Sequence, residues 1–229
     1  MSNRANTVIT EIDENIRFRV TESYKAIRTN LVLSIIKQGC KTVVVSSSLP
    51  GEGKSTASVN LAISLAQTEA KVLLIDCDLR KSRVHRFFKF QISPGLTNLL
   101  GDMATVEEAV QSTGYPNLQV ICAGMKAPNP SELLASEQMA GLLRGFSERY
   151  DYIILDSPPI NVVSDALPLI KLSDGVVMVV RENTTTFPTV TAALKNLELV
   201  DAKILGFVVN GVKENGGKYS NYKYKYKYD

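Results

Sequence analysis

Val43-Val44-Val45-Ser46-Ser47-Ser48-Leu49-Pro50-Gly51-Glu52-Gly53-Lys54-Ser55-Thr56 decides the fold. A β-branched apolar run enters a turn-rich loop, and the loop ends in Gly-Lys-Ser. Residues 57–66 follow with helical character. Strand, glycine-containing loop and helix in that order form the setting of a phosphate-binding loop. Loop amides and the helix N-terminus would face phosphate oxygens, and the helix dipole favours their negative charge. Gly51 and Gly53 admit close backbone approach, with Glu52 between them. Lys54 would reach the outer phosphates, the Ser55 hydroxyl would meet Mg²⁺, and Glu52 and Thr56 would join the nucleotide-binding residues. The usual pattern carries glycine at position 48, where this chain has Ser48.

Working outward, a second apolar run, Val72-Leu73-Leu74-Ile75, ends in Asp76-Cys77-Asp78-Leu79-Arg80. A third, Tyr152-Ile153-Ile154-Leu155, ends in Asp156-Ser157-Pro158-Pro159. Continuous apolar runs mark strands buried on both faces of a parallel sheet. Carboxylates at strand C-termini sit where open α/β sheets place their ligand crevice. In a strand, Asp76 and Asp78 would share a side, and a Mg²⁺–nucleotide would relieve their mutual repulsion. Capping of the following helix is the alternative use for this pair. Asp156 suits a Mg²⁺ ligand acting through water, or a strand-end turn. Two further apolar runs, 175–180 and 204–210, are spaced by helical stretches over 164–172 and 187–200. Shorter helices are expected at 96–100 and 106–112, a longer one over 137–149, and a short strand over 117–123. Alternating strand and helix predicts a doubly wound, mostly parallel α/β sheet. Asn210 ends the last strand on the ligand side, where its amide could meet a purine edge or simply form a turn.

A helix is expected over about 20–37, after loosely held polar residues. Glu22, Lys25 and Arg28 follow at three-residue steps on it. They form either an exposed ion-pair ladder or a stripe that meets another subunit. The three cysteines lie far apart and match no metal spacing, so they read as buried free thiols. His85 has no partner in sequence and receives no role. No stretch has the apolar length of a membrane span or a leader, so the chain reads as soluble and cytoplasmic, with membrane association left to a partner.

The formal charge is +3, and it belongs to the C-terminus. Residues 213–229 hold five lysines and two acids, whereas the other 212 residues carry 21 basic and 21 acidic side chains. The body therefore gives no case for a nucleic-acid surface. Five of nine tyrosines fall in the last eleven residues: Tyr219, Tyr222, Tyr224, Tyr226 and Tyr228. A sticky tail, an aromatic and basic binder of anions, and a run of phosphate acceptors are all compatible with that composition.

Taken together, Gly51-Glu52-Gly53-Lys54-Ser55, Asp76-Cys77-Asp78-Leu79-Arg80, Asp156-Ser157-Pro158-Pro159, the Pro128–Leu134 stretch and the tyrosine cluster resemble the bacterial tyrosine kinase family. More narrowly, they are similar to its cytoplasmic subunits in capsular and exopolysaccharide synthesis. The resemblance implies a P-loop NTPase fold over residues 1–212 and a tyrosine-rich tail over 213–229. It implies ATP and Mg²⁺ as cofactors. Lys54 and Ser55 would hold phosphates and metal, Asp76 would orient or deprotonate the tyrosine hydroxyl, and Asp78 and Asp156 would support the metal. Asn210 would contact adenine, and the tail tyrosines would accept phosphate from a neighbouring subunit of a ring. Implied partners are a membrane-bound activator of the polysaccharide chain-length type, a cognate tyrosine phosphatase and sugar-nucleotide enzymes. The family's ring contact is a Glu-x-x-Arg-x-x-Arg helix, and Lys25 stands here for the middle Arg. Septum-site and plasmid-partition ATPases share the fold but carry a lysine at the place of Leu49 and lack the tyrosine run. A non-catalytic ATP-binding assembly subunit is the rival from another class.

Overall fold

The computed structural model describes residues 14–212. Seven strands form one sheet in the order β3-β4-β2-β5-β1-β6-β7. They are β1 (Lys41–Ser47), β2 (Val72–Asp76), β3 (Val110–Ser112), β4 (Leu118–Ile121), β5 (Tyr152–Asp156), β6 (Gly175–Arg181) and β7 (Ile204–Asn210). All pairings are parallel except β3 on β4. The expected doubly wound sheet is therefore present.

The period of two in each strand splits the apolar runs between two cores. Val44, Leu73, Ile75, Ile153, Leu155, Val176 and Met178 face one core. Val43, Val45, Val72, Leu74, Ile154, Val177 and Val179 face the other. The second core is closed by α1 (Glu14–Ser34), α2 (Lys54–Ala66) and α3 (Val84–Phe88), through residues such as Leu31, Leu61 and Val84. The first lies under α4 (Leu96–Leu100), α5 (Val106–Ala109), α6 (Pro130–Leu134), α7 (Glu137–Ser147), α8 (Ala166–Lys171) and α9 (Phe187–Glu198). Both faces of β1, β2 and β5 are thus covered, which is why those runs show no polar alternation. Strand β7 lies at the edge and leaves Phe207 and Val209 exposed. Cys40, Cys77 and Cys122 are buried free thiols, as expected.

Three local expectations are corrected. Helix α1 starts at Glu14 and stops at Ser34, earlier at both ends than the 20–37 span. The helix expected over 106–112 ends at Ala109, and Val110–Ser112 instead pairs antiparallel with β4. A capping box from Thr105 and Glu108 starts that single turn, but the open edge of β4 then captures the chain as a strand. The short strand over 117–123 contracts to Leu118–Ile121. The tail tyrosines Tyr219, Tyr222, Tyr224, Tyr226 and Tyr228 lie outside the described residues.

Candidate active site

Strands β1, β2, β5, β6 and β7 deliver their last residues to one rim of the sheet. From β1 the chain enters the loop 48–53, whose Gly51 and Gly53 have φ of 86° and 97°. Both values lie in the left-handed region that glycine adopts without strain. The backbone angle demands glycine at position 53, where a Cβ would also push the Asn210 amide nitrogen, 1.9 Å away, off the Glu52 carbonyl. Position 48 does not share that demand, since Ser48 is absent from the residues with positive φ. Its side chain is fully buried, and its backbone needs no glycine, so serine fits there without disturbing the loop's path.

The loop is held from beneath. The buried Glu52 carboxylate accepts the Leu49 amide at 2.8 Å and also the Thr185 hydroxyl. Arg181 donates Nη1 to the Gly51 carbonyl at 3.2 Å, and Asn210 donates Nδ2 to the Glu52 carbonyl at 3.1 Å. The ends of β6 and β7 therefore brace the turn. Sequence reasoning placed Glu52 and Asn210 at the nucleotide, and in this structure their side chains hold loop backbone. It missed Arg181 and Thr185, although Arg181 directly follows an apolar run ending at the ligand rim.

Three carboxylates collect beside the loop. Asp76 and Asp156 are register partners on β2 and β5, both with no exposure, and Asp78 is 3% exposed. Lys54 Nζ meets Asp78 Oδ2 at 2.8 Å. Asp76 accepts backbone amides of Asp78 (3.2 Å), Arg83 (3.1 Å) and Val84 (3.0 Å), and Asp78 accepts that of Lys81 at 2.9 Å. Asp76 thus meets the first amides of α3, while Asp78 holds the turn ahead of it and keeps one oxygen for Lys54. Asp156 accepts the Ser58 hydroxyl at 2.9 Å on Oδ1. Ser58 was not anticipated, although it lies four residues beyond Lys54 on the same face of α2.

Burial, then the charge of Asp156, holds the Asp76 carboxyl well above the usual carboxylate range. Burial also raises Asp156, against the pull of Lys54 and of the Ser55 and Ser58 hydroxyls. Oδ2 of Asp156 is buried and has no hydrogen-bond partner. A buried oxygen without a donor, among acids that resist ionisation, fits a cation as its missing partner. No ready three-ligand cage of His, Cys, Asp or Glu exists among the described residues. Mg²⁺ takes one or two carboxylates and completes its shell with phosphates and water.

A cleft of about 310 Å³ opens over this rim. Gly51, Gly53, Lys54, Ser55, Thr56 and Asp78 line it, with Arg80, Arg181 and Pro158 on its walls. Asp76 and Asp156 lie behind that lining. Asn210 and Thr56 line an adjacent pocket between α1, α2 and the end of β7. Glu22 and Lys25 form an exposed ion pair at 2.7 Å within α1, and Arg28 donates to the Ser64 carbonyl of α2 at 2.7 Å.

Fold and site define a P-loop NTPase: a parallel sheet, a glycine-lined loop feeding a helix, and acids ending the neighbouring strands. The AAA domain family matches residues 40–206. The chain is 40% identical over 204 residues to the tyrosine-protein kinase YwqD of Bacillus subtilis, covering 89% of this chain and 85% of that protein. The kinase domain of the Escherichia coli tyrosine kinase ETK superposes with a TM-score of 0.82 at 31% identity, over 89% of this chain and 80% of that one. The chain therefore belongs to the bacterial tyrosine kinase family and is a protein-tyrosine kinase. The septum-site protein MinD of Pyrococcus horikoshii, solved with Mg-ADP, shares the fold alone at 20% identity and a TM-score of 0.64 over 76% of this chain and 72% of that one.

Proposed function

We propose that the chain moves the γ-phosphoryl group of ATP onto tyrosines of its own C-terminal segment, in trans within a ring of copies. The observation that carries this is the buried Lys54–Asp78 pair at the head of the loop, with the orphaned Asp156 oxygen behind it. Phosphoryl transfer depends mostly on positioning and charge stabilisation. Loop amides and Lys54 would hold the phosphates, and Ser55, Asp78 and Asp156 would hold Mg²⁺, which offsets phosphate charge when bound. Asp78 would exchange Lys54 for the cation, leaving Lys54 to the phosphates. Asp76 is the proposed orienter of the tyrosine hydroxyl, whose free pKa is near ~10, and to reach it Asp76 would release backbone amides it now holds. Asn210 would fix the purine from the adjacent pocket.

Tyr219, Tyr222, Tyr224, Tyr226 and Tyr228 are the proposed acceptors. The α1 stripe of Glu22, Lys25 and Arg28 is the proposed contact between copies. The kinship with tyrosine kinases supports a place in capsule or exopolysaccharide synthesis. A membrane-bound activator, a tyrosine phosphatase and sugar-nucleotide enzymes would be its partners, at the inner face of the membrane. No helix among the described residues is long and apolar enough to cross a membrane. Lys54→Met should reduce phosphotyrosine formation at least a hundredfold, the order expected for losing one preorganised charge donor. Circular dichroism should show the fold intact. Undiminished transfer by that variant would refute the assignment.

A further inference from the structure

The Asp-x-Asp-x-Arg stretch ends in an arginine that the site described above leaves without a task. Arg80 lies beyond β2 and lines the cleft beside Asp78. Its Nε and Nη2 meet the two oxygens of Asp165 at 2.8 and 3.2 Å. The Asp165 side chain is 1% exposed, whereas that of Arg80 is 44% exposed. Asp165 immediately precedes α8 and also accepts the Ser131 hydroxyl from α6. One buried carboxylate therefore joins three separate segments and ends on a guanidinium at the cleft wall.

The geometry of that contact is informative. Nε and Nη2 form the side edge of the guanidinium fork. Asp165 occupies this edge and leaves the end edge, which carries an N–H from each terminal nitrogen. That edge matches two oxygens of a phosphoryl group, and a lysine could not present it. The loop amides and Lys54 would meet the phosphates from the α2 side. Arg80 stands on the wall built after β2, with Asp78 and Lys81. A fully buried Asp165 holds its charge there because Arg80 and Ser131 together outweigh its desolvation, and its carboxyl stays below the usual range.

We propose that Arg80 grips the γ-phosphoryl group through its end edge, and that Asp165 and Ser131 are positioning residues that fix the guanidinium for that contact. This rests on reading the cleft as the ATP site. It adds a discriminator of ATP from ADP supplied by the chain itself. Without Asp165 the flexible arginine samples solvent, and the contact loses its preorganisation.

The test compares binding of Mg-ATPγS and Mg-ADP to the full chain by titration calorimetry. Five proteins are used: wild type, Arg80→Lys, Asp165→Asn, their double variant and Ser131→Ala. Asp165→Asn should weaken ATPγS about tenfold, the loss of one well-made charged contact, and leave ADP within about twofold. Arg80→Lys should do the same. The double variant should bind ATPγS no worse than Arg80→Lys alone, because Asp165 acts only through that arginine. Ser131→Ala keeps the ion pair and should show a smaller loss in the same direction, which tests the idea should Asp165→Asn fail to fold. Equal losses for ADP and ATPγS, or losses that multiply in the double variant, would overturn the proposal in favour of a structural bracket. Wild-type protein that binds neither nucleotide would overturn the ATP-site reading itself, a distinct result.

Discussion

Asp156 carries a charge that the fold does not favour, because its Oδ2 is buried without a donor and Asp76 is its register neighbour. Both carboxyls are raised, so the folded state binds their protons more tightly than the unfolded chain does. Their contribution to stability is full below the ordinary carboxylate pKa of about 4 and is lost as pH rises through the raised folded values. Asp156→Asn removes one of the two charges and keeps an oxygen for Ser58. Thermal scans without nucleotide should place its Tm above that of wild type by a few degrees near neutrality, and the gap should shrink on acidification. Phosphotransfer should fall in the same variant, a trade between stability and activity at one residue. A lower Tm at neutral pH would contradict the account of the buried acids. Gly53→Ala should fail differently. Its Cβ would collide with Asn210 and its φ of 97° is hostile to any side chain, so nucleotide binding and Tm should drop together in the same titration and melt.

At the scale of elements, α1 separates two roles that its spacing had merged. Lys25 and Glu22 form an exposed pair, while Arg28 is already committed to the carbonyl of Ser64 on α2. Lys25→Ala should leave Tm unchanged, because exposed pairs are worth about 0–1 kcal/mol, and should lower the mass of the assembly by light scattering. Arg28→Ala should lower both. An unaltered assembly in both variants would remove α1 from the subunit contact. The same distinction marks what sequence could convey. The strands were legible because the runs at Val43, Val72 and Tyr152 are buried on both faces, and the phosphate loop because its glycines and Lys54 are contiguous. The turn at 106–112 was misread because helix propensity is local and the captor, β4, lies elsewhere. Side-chain directions also escaped. The residues near Asp76 leave helix capping and metal binding as rival uses, and nothing there reveals that Asp165, far along the chain, reaches back to Arg80.

For the whole molecule, function joins a neutral body to a basic tyrosine-bearing segment. Each phosphotyrosine adds about −1.5 to −2 charges, so five would turn that +3 segment to a strongly negative one, with roughly −8 to −10 added. Segments so charged on neighbouring copies should then repel one another. Phosphorylated protein is expected to dissociate into smaller species by light scattering, and an unchanged mass would sink the release model.

The measurement that reaches the central claim most directly is mass spectrometry of the full chain after incubation with ATP and Mg²⁺, beside Lys54→Met. The account predicts phosphate on Tyr219, Tyr222, Tyr224, Tyr226 and Tyr228 in the wild type and none in the variant. ATP consumption that leaves those five tyrosines unmodified, with activator fragments present, would contradict it.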